Sequence, residues 1–198
     1  SMQSGSGMRR TFLPLDPGEL PAKDSIIAID CEFVATSGEE SEVTASGRRV
    51  VTKASQLSLA RVSITRETGV PFVDDYIVKS EPVVDYLTRF SGLHPGDLDP
   101  SVSTKHLVSL KTAYLKLRLL VDSGVKFCGH GLRKDFRMIN IFVPQEQILD
   151  TVLLYRLPGQ RAVGLRFLMH CILSENVQEG THDAVEDALA AVKLYQKY

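Results

Sequence analysis

Residues 25–34 read SIIAIDCEFV, a mostly β-branched apolar run that carries two acids two positions apart. A short, continuous run of this kind marks a strand buried on both faces. Side chains alternate along a strand, so Asp30 and Glu32 share one face about 7 Å apart. Cys31 lies between them, and Phe33 and Val34 close the run. Two unpaired carboxylates in the wall of a core are desolvated, repel each other, and drive one of the pair to protonate. A cation must sit beside such a pair, or the strand must end in a cleft. The remaining arrangement is a buried ion pair with an Arg or Lys from elsewhere in the chain.

The chain has 198 residues, 43% of them hydrophobic, enough for one sizeable core. No stretch approaches the roughly 20 apolar residues of a membrane span. Residues 1–8, SMQSGSGM, read as a cloning scar and linker, which leaves 9–198 as a single domain; no signal or transit peptide is visible. Cys31, Cys128 and Cys171 are widely spaced, odd in number and set in apolar runs. That pattern fits reduced core thiols of an intracellular protein, not a disulfide frame or a zinc site. A net charge of −1 neither suggests nor excludes nucleic acid.

Residues 35–54 are rich in Ser, Gly, Glu and Thr and read as a flexible, solvated insertion. SQLSLARVSI (55–64) and PFVDDYIV (71–78) alternate as strands and, with the first, predict a three-strand antiparallel meander. The segment 83–101 reads as a structured loop with a helical turn. From Ser103 to Ser123 the apolar positions follow a 3.6-residue period, with Ser103 or Thr104 as cap and Gly124 as stop. VKFCGH (125–130) predicts a buried strand and GLRKDFRMIN a short helix after it. QILD (147–150) reads as extended, TVLLYRL and GLRFLMHCIL as two helices, and Asp183–Tyr198 as the last helix. The fold class expected is α/β: a mixed sheet, the meander extended by further strands, with helices packed on it.

Two more acids fall at element junctions. Asp135 lies early in the helix that follows a buried strand, and Asp187 lies in the second turn of the last helix, just after His182. At 100° per residue, His182 and Asp187 would stand about 140° apart on one helix. They meet only if His182 belongs to the non-helical lead-in, with Thr181 or Asp183 as cap. Taken singly, Asp135 between Lys134 and Arg137 fits an ordinary exposed ion pair better, and Asp187 a solvated helical acid beside Glu186. His94, His106, His130 and His170 have no partner pattern and read as structural.

The ordered set changes the reading. An Asp-x-Glu on a first strand, an Asp after a strand-to-helix turn and a His-x4-Asp at a late helix resembles the histidine subgroup of the DEDD superfamily of 3′–5′ exonucleases. The resemblance runs from about residue 24 to 198 and implies a ribonuclease H-like fold. The segments 86–98, 125–140, 148–161, 165–168 and 181–198 are similar to the exonuclease domains of the catalytic subunits of PAN poly(A) deadenylation complexes.

The resemblance implies a metal-dependent exoribonuclease that shortens mRNA poly(A) tails and releases 5′-AMP, using two Mg²⁺ or Mn²⁺ ions. Hard ions of this kind prefer carboxylate oxygens, and two of them activate the attacking water and relieve charge on the leaving oxygen. By resemblance, Asp30 bridges both ions, Glu32 and Asp187 complete the site of the ion that holds the attacking water, and Asp135 supports the second. His182 takes the proton, a role suited to a side chain with an ordinary pKa near 6.5. Phe33 and Leu93 are candidates for contact with the terminal base, although Phe33 is equally a plain core residue; Ser91 is a candidate for sugar or phosphate. The resemblance further implies single-stranded poly(A) RNA, a regulatory subunit and upstream domains as partners, with a cytoplasmic (also processing-body or nuclear) role in mRNA turnover. A general 3′–5′ exonuclease on other RNA or DNA ends shares the same motif, and a catalytically silent scaffold is the reading from another class.

Overall fold

The computed structural model describes residues 11–16, 18–156, 158–178 and 182–198; the leader read over 1–8 and the alternative cap Thr181 lie outside them. The first strand, β1, spans Ile26–Ala35 and buries Ile27, Ala28 and Ile29 almost completely, as a strand covered on both faces must. A hairpin follows, β2 (Glu40–Val43) and β3 (Arg49–Lys53), paired only with each other and exposed along nearly its whole length. It occupies the segment read from sequence as a solvated insertion. Next come β4 (Leu57–Arg66) and β5 (Pro71–Ile77), then the single turn α1 (Thr88–Ser91) within the loop expected there.

The predicted helix from Ser103 begins later. Residues 107–108 form β6 (Leu107–Val108), and α2 runs over Leu110–Ser123 with Ser109 as its cap, accepting from Thr112 N at 3.0 Å. The open edge of β5 decides this. Tyr76 N and Val78 N donate to His106 O and Val108 O, so residues 106–108 are drawn out to satisfy backbone groups that would otherwise be unpaired. After Gly124 come β7 (Lys126–Gly129), α3 (Leu132–Ile139) and β8 (Ile148–Asp150). TVLLYRL yields one turn only, α4 (Thr151–Leu154), because Tyr155 leaves the helix to donate its hydroxyl to Leu194 O at 2.8 Å. The next segment forms α5 (Leu165–Leu168), which widens into a π turn over Met169–Leu173, and the last helix is α6 (Ala184–Lys197). No helix among the described residues is long and apolar enough to cross a membrane.

The strands make a six-stranded sheet in the order β6-β5-β4-β1-β7-β8. The meander β1-β4-β5 is antiparallel, while β6, β7 and β8 join in parallel, as the mixed sheet required. Alternation along β1 sorts the core. Ile27, Ile29 and Cys31 pack into the main cluster with Leu117 and Leu120 of α2 and Leu132 and Phe136 of α3. Ala28, on the other face, packs with Cys128 against Ala188, Ala191 and Val192 of α6. These small side chains let α6 lie close to the sheet. Cys31 and Cys128 are core thiols as expected, whereas Cys171, on the π turn, is exposed.

Candidate active site

Asp30 and Glu32 lie in register with Ala28, on the face of β1 that α6 covers. β7 pairs with β1 only over Ile26–Ala28, so the half of β1 that bears the acids extends past its parallel neighbour. That opening lies at the carboxyl end of two parallel strands, where sheets of this kind form clefts. β7 can stop so close to β1 because it ends in glycine: a Cβ on Gly129 would lie 2.7 Å from Ile29 O and 2.4 Å from Leu132 Cδ2.

Helix α6 supplies the facing groups. Asp183 caps it, accepting from Val185 N at 3.0 Å and Glu186 N at 3.2 Å, so His182 sits in the non-helical lead-in as required. His182 Nδ1 then lies 3.2 Å from Asp187 Oδ2. Carboxylate oxygens of Asp30, Glu32 and Asp187 come within 4.8 Å of one another. Asp135, on α3, is not part of this group of three. Its charge still acts on Asp30 and Glu32.

The electrostatics are those of crowded, desolvated acids. Burial, then Glu32, Asp187 and Asp135, push the Asp30 carboxyl well above its ordinary range, with only Arg61 opposing. Burial and Asp187 raise Glu32 to about 8, again against Arg61. Burial lifts Asp135 to about 7 despite Lys134, and Asp187 is raised by burial against the pull of Gln178 and His182. Among the described residues the buried ion-pair alternative finds no partner. Arg61 is opposite Glu32 in the β1–β4 register, but its guanidinium is committed: Nε and Nη2 clasp Asp74 at 2.7 and 3.1 Å, and Nη1 reaches Asp183 at 3.3 Å.

A divalent cation fits these residues. All the donors are hard oxygens, no Arg or Lys among the described residues pairs with these acids, and Asp187 Oδ1 is buried with no hydrogen-bond partner among the described residues. An orphaned carboxylate oxygen beside two further carboxylates fits the donor set of a divalent ion.

The expected substrate contacts fare differently. Ser91 and Leu93 are each 1% exposed. Ser91 Oγ donates to Tyr86 O and accepts from Leu93 N, closing the α1 turn, and Leu93 packs with Val34, Ala60, Tyr76 and Leu98. The turn thus uses the Ser91 hydroxyl, and the Leu93 side chain lies in the core. Phe33, beyond a bulge at Glu32/Phe33, is partly buried against the main cluster. Phe90, in the same turn, faces outward, 63% exposed and edge-on to the His182 ring at 6.4 Å between centroids. The same segment touches His182 through Gly92, whose left-handed φ of 65° and missing Cβ admit His182 O; a Cβ there would lie 2.2 Å from it. Sequence patterns also gave no sign of Gln178, Asp183 as an Arg61 partner, or Asp150. The last caps α4, accepting from Val152 N, and accepts from Gly131 N, which ties β8 to the turn that launches α3. Arg61 alone had a visible signal, as a cation interrupting the apolar alternation of 55–64.

Comparison with known proteins places the chain in a family. The chain is 50% identical over 192 residues to the PAN2-PAN3 deadenylation complex catalytic subunit PAN2 of Gallus gallus, covering 95% of this chain and 16% of that protein. It is 50% identical over 190 residues to the corresponding subunit of Schizosaccharomyces pombe, covering 93% of this chain and 18% of that one. The chain thus spans less than a fifth of the length of these relatives. Among solved structures, the Neurospora crassa Pan2 catalytic unit, a protease and nuclease domain, superposes with a TM-score of 0.80 at 42% identity, covering 100% of this chain and 30% of that one. The Saccharomyces cerevisiae Pan2 pseudoubiquitin hydrolase–RNA exonuclease module in complex with A7 RNA gives 0.81 at 45% identity, with 96% and 31% covered. A family model described as Exonuclease, of the RNase T type, matches residues 27–195, and with that match the chain belongs to this exonuclease family.

Proposed function

We propose that this chain is a 3′–5′ exoribonuclease domain that removes poly(A) tails as 5′-AMP, with divalent metal ions held by its carboxylates. The observation that carries the reading is the convergence of Asp30, Glu32 and Asp187, with His182 seated on Asp187, in a chain of this family. Asp30, Glu32 and Asp187 would hold the ions, Asp187 through its unpartnered Oδ1, and Asp135, whose charge acts on Asp30 and Glu32, would support them. Such ions, when bound, lower the pKa of water and offset charge on a departing 3′ oxygen. His182 keeps Nδ1 against Asp187, which orients the ring and leaves Nε2 to take a proton. Phe90, exposed beside that ring, offers a flat apolar surface on which a base can stack. The preference for adenosine, a PAN3-type regulatory partner and upstream domains follow from the likeness to proteins named as PAN2 subunits.

The test is a time course on 5′-labelled RNA ending in adenosines, with Mg²⁺, with EDTA and with Glu32→Ala. A mixed-sequence RNA and a poly(dA) strand run alongside. A ladder shrinking one nucleotide at a time from the 3′ end, fastest on the adenosine tail and abolished by EDTA and by the substitution, is expected. Equal decay of all three strands would reduce the reading to a general 3′–5′ exonuclease, and no decay with Mg²⁺ or Mn²⁺ would overturn it.

A further inference from the structure

Among the described residues, Gln178 is the one side chain within hydrogen-bond distance of both Asp187 and His182. Its Nε2 donates to Asp187 Oδ2 at 2.9 Å and lies 3.2 Å from His182 Nδ1, which itself lies 3.2 Å from the same Oδ2. The three atoms form a closed triangle. A carboxylate only accepts, so the amide nitrogen, not the amide oxygen, must face it. Gln178 holds this place from a left-handed backbone with φ of 57°, unusual for a residue other than Gly, Asn or Asp. Unusual backbone of this kind persists where the surroundings impose it, and it clusters at functional sites.

The consequence concerns the other oxygen. With Oδ2 taken by the amide and the imidazole, Asp187 is fixed about its terminal torsion, and Oδ1 is left buried and without a partner. We infer that Gln178 is a positioning residue whose side-chain amide turns Asp187 so that Oδ1 is the oxygen offered to a divalent ion. This rests on the metal-dependent reading of the site. Glutamine suits the task where glutamate does not: a carboxylate at 178 would repel Asp187, and a thioether of similar length would leave Oδ2 free to rotate toward the ion.

The experiment compares the unvaried chain with Gln178→Met and Gln178→Glu in two assays: Mn²⁺ titration followed by thermal melting, and steady-state shortening of a 5′-labelled adenosine oligomer. Residues that orient metal ligands typically govern metal affinity or activity by about 10–100-fold, so the Mn²⁺ midpoint is expected to rise by that order for Gln178→Met. Its kcat should fall at saturating Mn²⁺ with KM for RNA unchanged, and its metal-free melting should fall only by the loss of one buried hydrogen bond. A loss of packing alone would lower melting without moving the Mn²⁺ midpoint. If Gln178→Met does not fold, Gln178→Glu, which keeps the shape and removes the donor, is read in the same way. An Mn²⁺ midpoint equal to that of the unvaried chain in a folded variant overturns the inference while the proposed function stands. If the unvaried chain itself neither responds to Mn²⁺ nor shortens RNA, both fall together.

Discussion

Glu32 shows in one side chain the conflict that organises the site. It is 7% exposed and its carboxyl is raised from 4.5 to about 8, first by burial and then by Asp187. In the metal-free protein the folded state therefore binds this proton more tightly than the unfolded chain does. Stability from it is fully present below pH 4.5 and is lost as pH rises through about 8. Asp135, raised from 3.8 to about 7, adds a loss of the same sign over a slightly lower window. Glu32→Gln keeps the neutral form at every pH, so in EDTA it should melt at the same temperature as the unvaried chain at pH 5 and above it at pH 9. A melting difference that does not change with pH would contradict the burial argument. Mn²⁺ should reverse the ranking at pH 8, since the ion stabilises only the form that keeps the carboxylate.

At the scale of the element, the start of α6 is the critical construction. Asp183 ends the extended lead-in, accepts two backbone N–H bonds and is held by Arg61, so one residue fixes where helix begins and thus how His182 faces Asp187. Its side chain is half exposed, so the ion pair with Arg61 counts for little and the cap for more. Asp183→Ala should cost about 1 kcal/mol in urea unfolding and lower kcat as the first turn frays, whereas Asp183→Asn, which still caps, should retain both. Equal loss in the two variants would point to the Arg61 charge instead. Arg61 itself is pulled down by burial but held charged by its hydrogen bonds and charge pairing with Asp74, which leaves it anchored to β5 and not free to neutralise the acids.

Over the whole molecule, distant segments meet at the start of α6: the α1 turn at His182, and the C-terminal half of β1 at Asp187. Gly92 is the point of closest approach, because its missing side chain is filled by His182 O. Gly92→Ala adds a clash to a left-handed backbone and should destabilise by more than the roughly 1 kcal/mol of an ordinary glycine replacement. The clash falls on His182, so kcat should drop along with stability. Stability lost with kcat intact would mean that the α1 segment packs on His182 without holding it. The sheet frames this meeting: β7 stops short of the acids and α6 packs across β1, β4 and β7 through alanines.

The sequence by itself determined the chemistry and the element plan. A costly acid pair on a buried strand, a junction Asp and a His-x4-Asp motif are statements about residue type and local spacing, and each fell on the element expected for it. Local pattern also placed β1, β4, β5, β7, α3 and α6 within a residue or two. Only tertiary structure decided what depends on a neighbour distant along the chain. The edge of β5 drew residues 106–108 out of a helix, and Tyr155 left α4 for Leu194. The core claimed Leu93, the turn claimed Ser91, and Phe90 was left outward. Asp74 and Asp183 engaged Arg61, and a glutamine with no sequence signature came to rest on Asp187. Periodicity reports which face of an element is apolar; it carries no information about which distant group meets that face, and the candidate site is made of such meetings.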